Sequence, residues 1–275
     1  MARRIKTPVI HFNGVWLEAN ATLLAALTPG VVRGRGVFET IAVVEGQMCF
    51  WPEHEERFRR GLHAYGLTCR HGRGALRNLL QETIQRNGLR DGRLRLARYV
   101  DQLEKVLVIV GLPGKPRTEK GRGLAVQVSA HRRNKTRTAH LKSIEYQPFY
   151  AAHRDALAQG YHEALLLSPD RAIVEGSTTN VFVVKDRVLY TPAVSAGCLN
   201  GIVRQQVIKL AKEQGISVRR GAYPLQRLFQ ADEVFLTNSL IGLQPVVSID
   251  QKSVSRQRLV TQDLKNAFIT LSRKR

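Results

Sequence analysis

Polar residues interrupt apolar stretches at four places in the second half of the chain, and their types could act together chemically. Lys142 lies in LKSIEY, and Glu175 begins EGSTTN between two apolar runs. Two glycines precede a helical pattern in GCLNGIVR, residues 197–204, and Ser239 interrupts another apolar run. A lysine amine can form a Schiff base with an aldehyde. The first amide groups of a helix can bind a phosphate.

These are the parts that a pyridoxal 5'-phosphate site needs. The lysine would hold the aldehyde, the acid would keep the ring nitrogen protonated, and the helix start would bind the phosphate. Each part also has a plain structural interpretation. Lys142 could be a solvated charge, Glu175 could belong to a turn, and the glycines could cap a helix. The combination, in this order along the chain, is far more specific than any single residue.

Strand and helix patterns alternate in the first half of the chain. TPVIHFNGVWL and FETIAVVEGQMCF predict strands around glycine turns. Apolar residues at helical spacing predict helices over 52–67 and 74–89. RLRLARYVD and KVLVIVG predict a strand pair, and the segment 112–123, rich in Pro, Gly and charge, predicts a linker.

The second half begins with the predicted strand LAVQVS, followed by four strands that predict a meander over 163–192. A helix is predicted over 201–215, and a strand, a polar loop and a strand over 233–246. The last predicted helix carries four apolar residues: Leu259, Leu264, Phe268 and Leu271. We therefore predict two α+β domains, residues 1–118 and 119–275, with Lys142 in the second.

The composition indicates a folded protein with an affinity for anions. The chain has 275 residues, of which 43% are hydrophobic, and 43 Lys and Arg against 22 Asp and Glu give a net charge of +21. A positive field of this size attracts nucleic acid, anionic membranes or acidic small molecules. The three cysteines lack metal-ligand spacing, and no apolar run approaches the length of a membrane span. We expect a cytoplasmic protein without membrane association.

The order of these motifs resembles the fold-type IV pyridoxal-phosphate enzymes, also called class IV aminotransferases. The similarity runs from FNGVW to QPVVSID, and the strongest motif is EGSTTNVFVV followed by VLYTP. The resemblance implies a small N-terminal α/β domain and a larger C-terminal domain with a mixed, barrel-like sheet. It also implies pyridoxal 5'-phosphate as cofactor, a homodimer, and a small anionic substrate such as an amino acid, a keto acid or aminodeoxychorismate. No specific nucleic-acid partner is expected.

The same resemblance assigns roles to individual residues. Lys142 matches the catalytic lysine that carries the Schiff base, and Tyr146 lies where the family contacts the ring hydroxyl. Glu175 matches the acid that pairs with the pyridine nitrogen. The phosphate is expected at Arg57 of HEERF, at the Ile202 and Val203 amides of NGIVR, and at Ser239 beside Asn238. Three residues are expected to line the substrate pocket: Phe38, Thr40 and Arg98.

Four positions depart from the family pattern. Val203 stands where many members have Thr, and Glu145 replaces the usual Asn. Arg35 stands where many members have Asp, and Tyr99 follows Arg98 where the family has Gly. These changes surround the expected cofactor and pocket, so they bear on the choice of substrate more than on the cofactor.

Two motifs favour a lyase reaction within this family. AGCLNGIVRQ has Asn-Gly-Ile where many aminotransferases have Pro-Gly-Ile, and LTNSLIGLQPV resembles the Asn-x-Leu segment of 4-amino-4-deoxychorismate lyases. We therefore expect such a lyase, forming 4-aminobenzoate and pyruvate. The alternatives are an aminotransferase acting on D-amino acids, branched-chain amino acids or amines, and a basic nucleic-acid-binding protein on a similar fold.

Overall fold

The computed structural model describes residues 7–28, 34–101, 104–114, 123–136, 138–255 and 257–273. The chain forms two compact units that divide between residues 114 and 123, and Lys142–Gln147 belongs to the first unit. The domain boundary predicted at residue 118 lies outside the described residues.

The first unit is an antiparallel sheet with three helices. Its strands pair in the order β2-β1-β6-β5-β3-β4. The strands are β1 (Val9–Phe12), β2 (Val15–Glu18), β3 (Arg35–Val44), β4 (Gln47–Met48), β5 (Gly92–Asp101) and β6 (Glu104–Pro113). The helices are α1 (Ala21–Ala26), α2 (Trp51–Ala64) and α3 (Arg73–Arg86).

Alternation along the strands gives this sheet two apolar faces. Val37 and Ile41 of β3 pack in one cluster with Phe58 of α2 and Leu80 of α3. Phe38, from the same strand, packs in a separate cluster on the opposite face. Successive side chains of a strand point to opposite faces, so one strand serves both clusters. The helices predicted over 52–67 and 74–89 are thus confirmed as α2 and α3, within a few residues at each end.

The segment that carries Lys142 pairs with β3. Phe38 N–H donates to Lys142 O at 2.9 Å, Ile144 N–H donates to Gly36 O at 3.1 Å, and Val37 and Ser143 form an isolated β-bridge. These bonds are why Lys142 lies in the first unit, whereas the sequence analysis assigned it to the second domain.

In the described residues, the second unit contains a mixed sheet with four α-helices. The strands are β7 (Leu124–Arg132), β8 (Glu163–Leu167), β9 (Ile173–Gly176), β10 (Asn180–Lys185), β11 (Val188–Pro192), β12 (Val218–Gly221), β13 (Glu233–Asn238), β14 (Gly242–Ile249) and β15 (Lys252–Ser253). The helices are α4 (Gln147–Ala158), α5 (Ile202–Glu213), α6 (Gln226–Phe229) and α7 (Leu259–Arg273).

The order β12-β11-β10-β13-β14-β7-β8-β9, with β15 beside β14, combines antiparallel pairs with the parallel pairs β11–β12, β14–β7 and β7–β8. The predicted α+β class with a mixed second sheet is confirmed. The predicted meander over 163–192 is wrong in one connection. β9 pairs with β8, but β10 pairs with β11 and β13, because the turn at 177–179 carries the chain from one edge of the sheet into its other half.

Two helices supply much of the cover of the second unit. Helix α5 buries Val207, Leu210 and Ala211, and α7 buries Leu264 and Phe268. Leu259, the first residue of α7, is 75% exposed. No helix in the described ranges is both long and apolar enough to cross a membrane.

The contrast within α7 gives a matched test of the core. Leu264 is fully buried, so Leu264→Ala should lower the free energy of unfolding by about 2–5 kcal/mol through lost contacts and a cavity. Leu259→Ala is the same chemical change in the same helix and should alter it by about 0.5 kcal/mol or less. Urea unfolding followed by circular dichroism measures both values. Equal losses for the two variants would contradict the assigned orientation of α7.

Candidate active site

Lys142 lies against aromatic side chains of the first unit. Its Nζ is 4.5 Å from the ring centroid of Phe38 and 5.9 Å from that of Tyr146. The two rings meet edge to face, with centroids 5.4 Å apart. Ile144, between Lys142 and Tyr146 in sequence, is 1% exposed. Lys142 is therefore half-buried beside aromatic rings, at distances at which an ammonium group is attracted to a ring face.

Tyr65, directly after α2, is hydrogen-bonded to the segment that carries Lys142. Tyr65 Oη donates to Ser143 Oγ at 2.8 Å and lies 3.1 Å from Glu145 Oε2. Glu145 is exposed and its N–H donates to Ser143 Oγ at 3.0 Å. The departure from the family pattern at residue 145 thus places an acid beside the tyrosine that anchors this segment.

Arg57 belongs to a buried charged cluster in the first unit. Its Nε donates to Glu39 Oε1 at 2.8 Å and its Nη2 to Glu39 Oε2 at 2.6 Å, a bidentate pair. His54 Nδ1 lies 2.7 Å from Glu39 Oε2. All three side chains are less than a tenth exposed. Helix α2 brings His54 and Arg57 to the same face because they are three residues apart.

The protonation states of this cluster follow from its burial and charges. Burial alone would raise the pKa of the Glu39 carboxyl, but Arg57 and His54 together lower it to about 2. Burial lowers the pKa of His54, opposed by Glu39 and assisted by Arg57 and Lys142. At neutral pH we therefore assign a carboxylate at Glu39 and a neutral His54 that donates its Nδ1–H. Glu39 and His54 fix the direction of the Arg57 guanidinium, and the sequence analysis missed both.

The three expected pocket residues do not share a face of the sheet. Phe38 pairs with Ala97 and Thr40 with Arg95, whereas Arg98 pairs with Val37 on the helix-covered face. Arg98 instead lines a cavity of about 590 Å³ together with cationic and polar neighbours that include Arg70, His71 and Lys105. Burial lowers the pKa of Arg98, and Arg70 lowers it further. The sheet thus separates Arg98 from Phe38 and Thr40.

In the second unit, Glu175 is a buried acceptor at the end of β9. It is 4% exposed. Its Oε1 accepts from Arg133 Nε at 3.2 Å, and its Oε2 accepts from the Leu199 N–H at 2.9 Å. A surface turn residue would be solvated, so the burial favours a site residue over the plain turn interpretation.

Arg133 was missed by the sequence analysis except as part of a basic run. Besides Glu175, its guanidinium donates to Ala139 O and lies 4.5 Å from the centroid of the Phe149 ring. These contacts keep Nε of the Arg133 guanidinium hydrogen-bonded to the Glu175 carboxylate. The run HRRNKTR gave no signal that separated this arginine from its solvated neighbours.

The start of α5 presents main-chain amides without a side-chain cap. The N-cap is Gly201, and α5 begins with Ile202 and Val203, both buried. The first amides of a helix have no intrahelical acceptor, so this end suits an anion. Gly201 cannot be replaced without strain, because a Cβ atom there would collide with the Asn180 side chain. Asn180 Nδ2 donates to Leu199 O at 2.9 Å, which ties β10 to the same loop.

Asn238 organises the turn that holds Ser239. Its Oδ1 accepts from the Leu240 and Ile241 N–H groups at 2.8 and 2.9 Å, and its Nδ2 donates to Thr178 O at 3.2 Å. Ser239 is half-buried in this turn.

Within the second unit, the structure thus brings together the turn after Glu175, the start of α5 and the Asn238 turn. The hydroxyl groups of Ser177, Thr178 and Thr179 donate to Glu163, which sequence reasoning also missed.

Comparison with known proteins shows that similarity extends over both units. The family model described as "Amino-transferase class IV" matches residues 36–249. A putative branched-chain-amino-acid aminotransferase of Methanocaldococcus jannaschii is 30% identical, over 94% of each chain. An aminodeoxychorismate lyase of Bacillus subtilis is 27% identical, over 90% of this chain and 89% of its own.

Similarity to solved structures agrees with the sequence comparison. The T.th. branched-chain amino acid aminotransferase, solved with pyridoxamine 5'-phosphate, has a TM-score of 0.86 at 25% identity. The match covers 99% of this chain and 96% of that one. This chain therefore has the same fold over almost its whole length.

The Glu39 cluster predicts a defined pH dependence of stability. The pKa of Glu39 in the folded protein is about 2, below its ordinary value of 4.5. Its contribution to the free energy of unfolding is therefore fully present above pH 4.5 and is lost as pH falls toward 2. Glu39→Gln leaves Arg57 buried without its counterion and should cost about 3–5 kcal/mol at pH 7. The gap to wild type, measured by urea unfolding, should shrink as pH falls toward 2.

Glu82→Gln is the control for this test. Glu82 forms a half-exposed pair with Arg86 one helical turn away, and such surface pairs contribute about 1 kcal/mol or less. A stability gap for Glu39→Gln that stays constant between pH 7 and pH 2 would contradict the ionised, buried pair.

Proposed function

Because the chain belongs to the class IV aminotransferase family, we propose that it transfers the amino group between a branched-chain amino acid and a 2-oxo acid. The protein is a pyridoxal 5'-phosphate-dependent enzyme of this family. When bound, the cofactor supplies an aldehyde that takes up the amino group and a ring that accepts electrons. The non-enzymatic alternative, a nucleic-acid-binding protein, no longer accounts for the chain.

The observation that carries the choice of substrate is the apolar wall beside Lys142. The ring centroids of Phe38 and Tyr146 lie 4.5 and 5.9 Å from the amine, and Ile144, two residues further along the chain, is buried. Aromatic and aliphatic surfaces suit an aliphatic substrate side chain better than a second carboxylate. The similarity to the Methanocaldococcus jannaschii and T.th. aminotransferases supports the same choice. This favours the aminotransferase over the lyase that the sequence motifs suggested.

The residues of the first unit fit the aldehyde end of the cofactor. Lys142 would form the covalent link and then move the proton of the substrate, since a lysine amine can act both as a nucleophile toward an aldehyde and as a general base. Tyr146 would contact the ring hydroxyl. Arg57, directed by Glu39, would contribute to phosphate binding, because a guanidinium of fixed direction suits the recognition of phosphate oxygens.

The residues of the second unit fit the ring nitrogen and the phosphate. The uncapped amides of Ile202 and Val203, with Ser239 and Asn238 in the neighbouring turn, would bind phosphate oxygens. Val203 supplies only its amide, since it lacks the hydroxyl of the more usual Thr. Glu175 would pair with the protonated ring nitrogen. Arg133 and the Leu199 amide hold its carboxylate in a fixed direction, which suits a preorganised partner for that nitrogen.

A 4-amino-4-deoxychorismate lyase is the second candidate. The Bacillus subtilis relative and the motifs around Asn200 and Asn238 favour it. Both reactions use a lysine that moves a proton and an acid at the ring nitrogen, so these groups do not discriminate between them. The products do, because only the lyase releases 4-aminobenzoate and pyruvate without consuming a 2-oxo acid.

A substrate panel tests the proposal. The purified protein with pyridoxal 5'-phosphate should convert L-leucine and 2-oxoglutarate to glutamate and the matching 2-oxo acid. L-Leucine should exceed L-alanine in kcat/KM by about tenfold or more, since each methylene buried in an apolar pocket improves discrimination. Chromatography of the products measures the rates, and Lys142→Ala should abolish them. Release of 4-aminobenzoate and pyruvate from 4-amino-4-deoxychorismate, with no amino transfer, would overturn the proposal in favour of the second candidate.

A further inference from the structure

The carboxylate of Glu163 gathers donors from three consecutive residues. Its Oε1 accepts from Ser177 Oγ, and its Oε2 accepts from Thr178 N at 3.1 Å, Thr178 Oγ1 at 2.5 Å and Thr179 Oγ1 at 3.1 Å. The N–H of its own neighbour, Ala164, also donates to Oε1, at 2.8 Å. Glu163 is 2% exposed. One buried acid therefore accounts for all three hydroxyl groups in EGSTTN.

The segment that Glu163 holds is the turn that follows Glu175. Strands β8 and β9 pair in the register Leu166 with Glu175, and the Ser177 N–H donates to Ala164 O at 2.8 Å. The Gly176 N–H donates to Thr179 O at 2.7 Å and closes the turn. A Cβ atom on Gly176 would collide with Thr179 Oγ1, so the turn is packed without spare volume.

The same turn reaches the two other elements of the second-unit site. Thr178 O accepts from Asn238 Nδ2 at 3.2 Å, next to Ser239. Asn180, directly after the turn, donates to Leu199 O, whose residue also gives its N–H to Glu175. Any shift of residues 177–179 would therefore move Glu175, the Leu199 loop and the Asn238 turn together.

We propose that Glu163 is a positioning residue that sets the direction of the Glu175 carboxylate and the spacing between Glu175 and the Asn238 turn. The inference rests on the proposed role of Glu175 at the ring nitrogen. Glu163 itself touches neither substrate nor cofactor in this account. It acts by holding the 176–179 turn in the one arrangement in which Glu175, Leu199 and Asn238 keep their mutual hydrogen bonds.

The chemistry of the cluster explains why an ionised acid is used here. Every group that faces the carboxylate is a hydrogen-bond donor or, in His153, a half-exposed imidazole 3.4 Å from Oε1. Burial would raise the pKa of Glu163, but the bonds from His153, Ser177 and Thr178 lower it. An acceptor with two oxygens can satisfy all these donors at once. The amide of a glutamine at this position would place its NH2 group against some of these donors. Since an NH2 group cannot accept their hydrogen bonds, the 176–179 turn would have to open.

Glu163→Gln should therefore damage catalysis through Glu175 rather than through stability alone. We expect turnover per bound cofactor to fall by about tenfold to a hundredfold, the size expected when a reacting group is displaced by about 1 Å. The absorbance maximum of the bound cofactor should shift in the direction produced by Glu175→Gln. Cofactor occupancy, turnover with L-leucine or 4-amino-4-deoxychorismate, whichever the enzyme accepts, and the visible spectrum are measured together.

Glu233→Gln is the matched control. Glu233 is also buried in the second unit, at the opposite end of β13 from Asn238, and accepts from the Val260 and Thr261 N–H groups at 2.9 and 2.7 Å. It fixes the start of α7 and has no part in the 176–179 turn. Glu233→Gln should lower the free energy of unfolding about as much as Glu163→Gln does. It should leave turnover per bound cofactor and the visible spectrum unchanged.

Thr178→Val is the second variant, for the case in which Glu163→Gln does not fold. It removes one donor to Glu163 at constant size and should produce the same spectral shift with a several-fold smaller loss of turnover. Wild-type turnover and spectrum per bound cofactor in the folded variants would overturn the positioning role.

The role of Glu175 at the ring nitrogen and the positioning role of Glu163 can be rejected separately. If Glu175→Gln keeps its activity, the role of Glu175 is wrong. If Glu175→Gln is inactive while Glu163→Gln matches Glu233→Gln, only the positioning role is wrong.

Discussion

A carboxylate removed from water must be surrounded by hydrogen-bond donors, and this requirement shapes both units of the protein. A buried charge without hydrogen-bond partners would destabilise the fold by more free energy than most single core contacts contribute. Glu39 meets the requirement with Arg57 and His54, Glu175 with Arg133 and the Leu199 amide, and Glu163 with the hydroxyls of one turn. In each case the donors come from elements distant in sequence, so satisfying the acid also fixes how those elements meet.

Two arginines of this strongly basic chain are held in fixed directions by these pairs. A phosphate and a substrate carboxylate are both anions, and a site for them needs cations whose directions are fixed rather than a general surplus of charge. Arg57 and Arg133 do have fixed directions, since each is hydrogen-bonded to a buried acid, and a phosphate role is proposed for Arg57 alone. The Arg98 cavity collects further cations on the helix-covered face of the first sheet. Other basic residues pair with acids at the surface, as Arg86 does with Glu82 and Lys185 with Asp232.

Local patterns were sufficient to predict most of the helices and strands. Helical spacing located α2, α3, α5 and α7, and the glycines before Ile202 located the uncapped helix start, because both signals lie within a few adjacent residues. The failures involve contacts between distant segments. The pairing of Lys142 with Phe38 spans about a hundred residues, and nothing near Lys142 in sequence indicates it.

The polar cluster EGSTTN shows the same limit in a single motif. Its composition correctly marked a buried polar region between two strands. The acceptor of its hydroxyls is Glu163, the first residue of a strand whose sequence is otherwise apolar. Whether a side chain at the start of a strand points inward is fixed by register, and register is a property of the paired sheet rather than of the strand. Similarly, the single-residue alternation of β5 placed Arg98 opposite Val37 and away from Phe38.

Glu175 is proposed to hold a proton on the cofactor ring nitrogen, and the proposed chemistry depends on that proton. The most direct measurement is the 15N chemical shift of that nitrogen in enzyme reconstituted with 15N-labelled pyridoxal 5'-phosphate. The account predicts the shift of a protonated pyridinium at neutral pH in the wild type, moving toward that of a neutral pyridine in Glu175→Gln at full cofactor occupancy. A neutral ring nitrogen in the wild type, or a pyridinium shift that Glu175→Gln leaves unchanged, would contradict it.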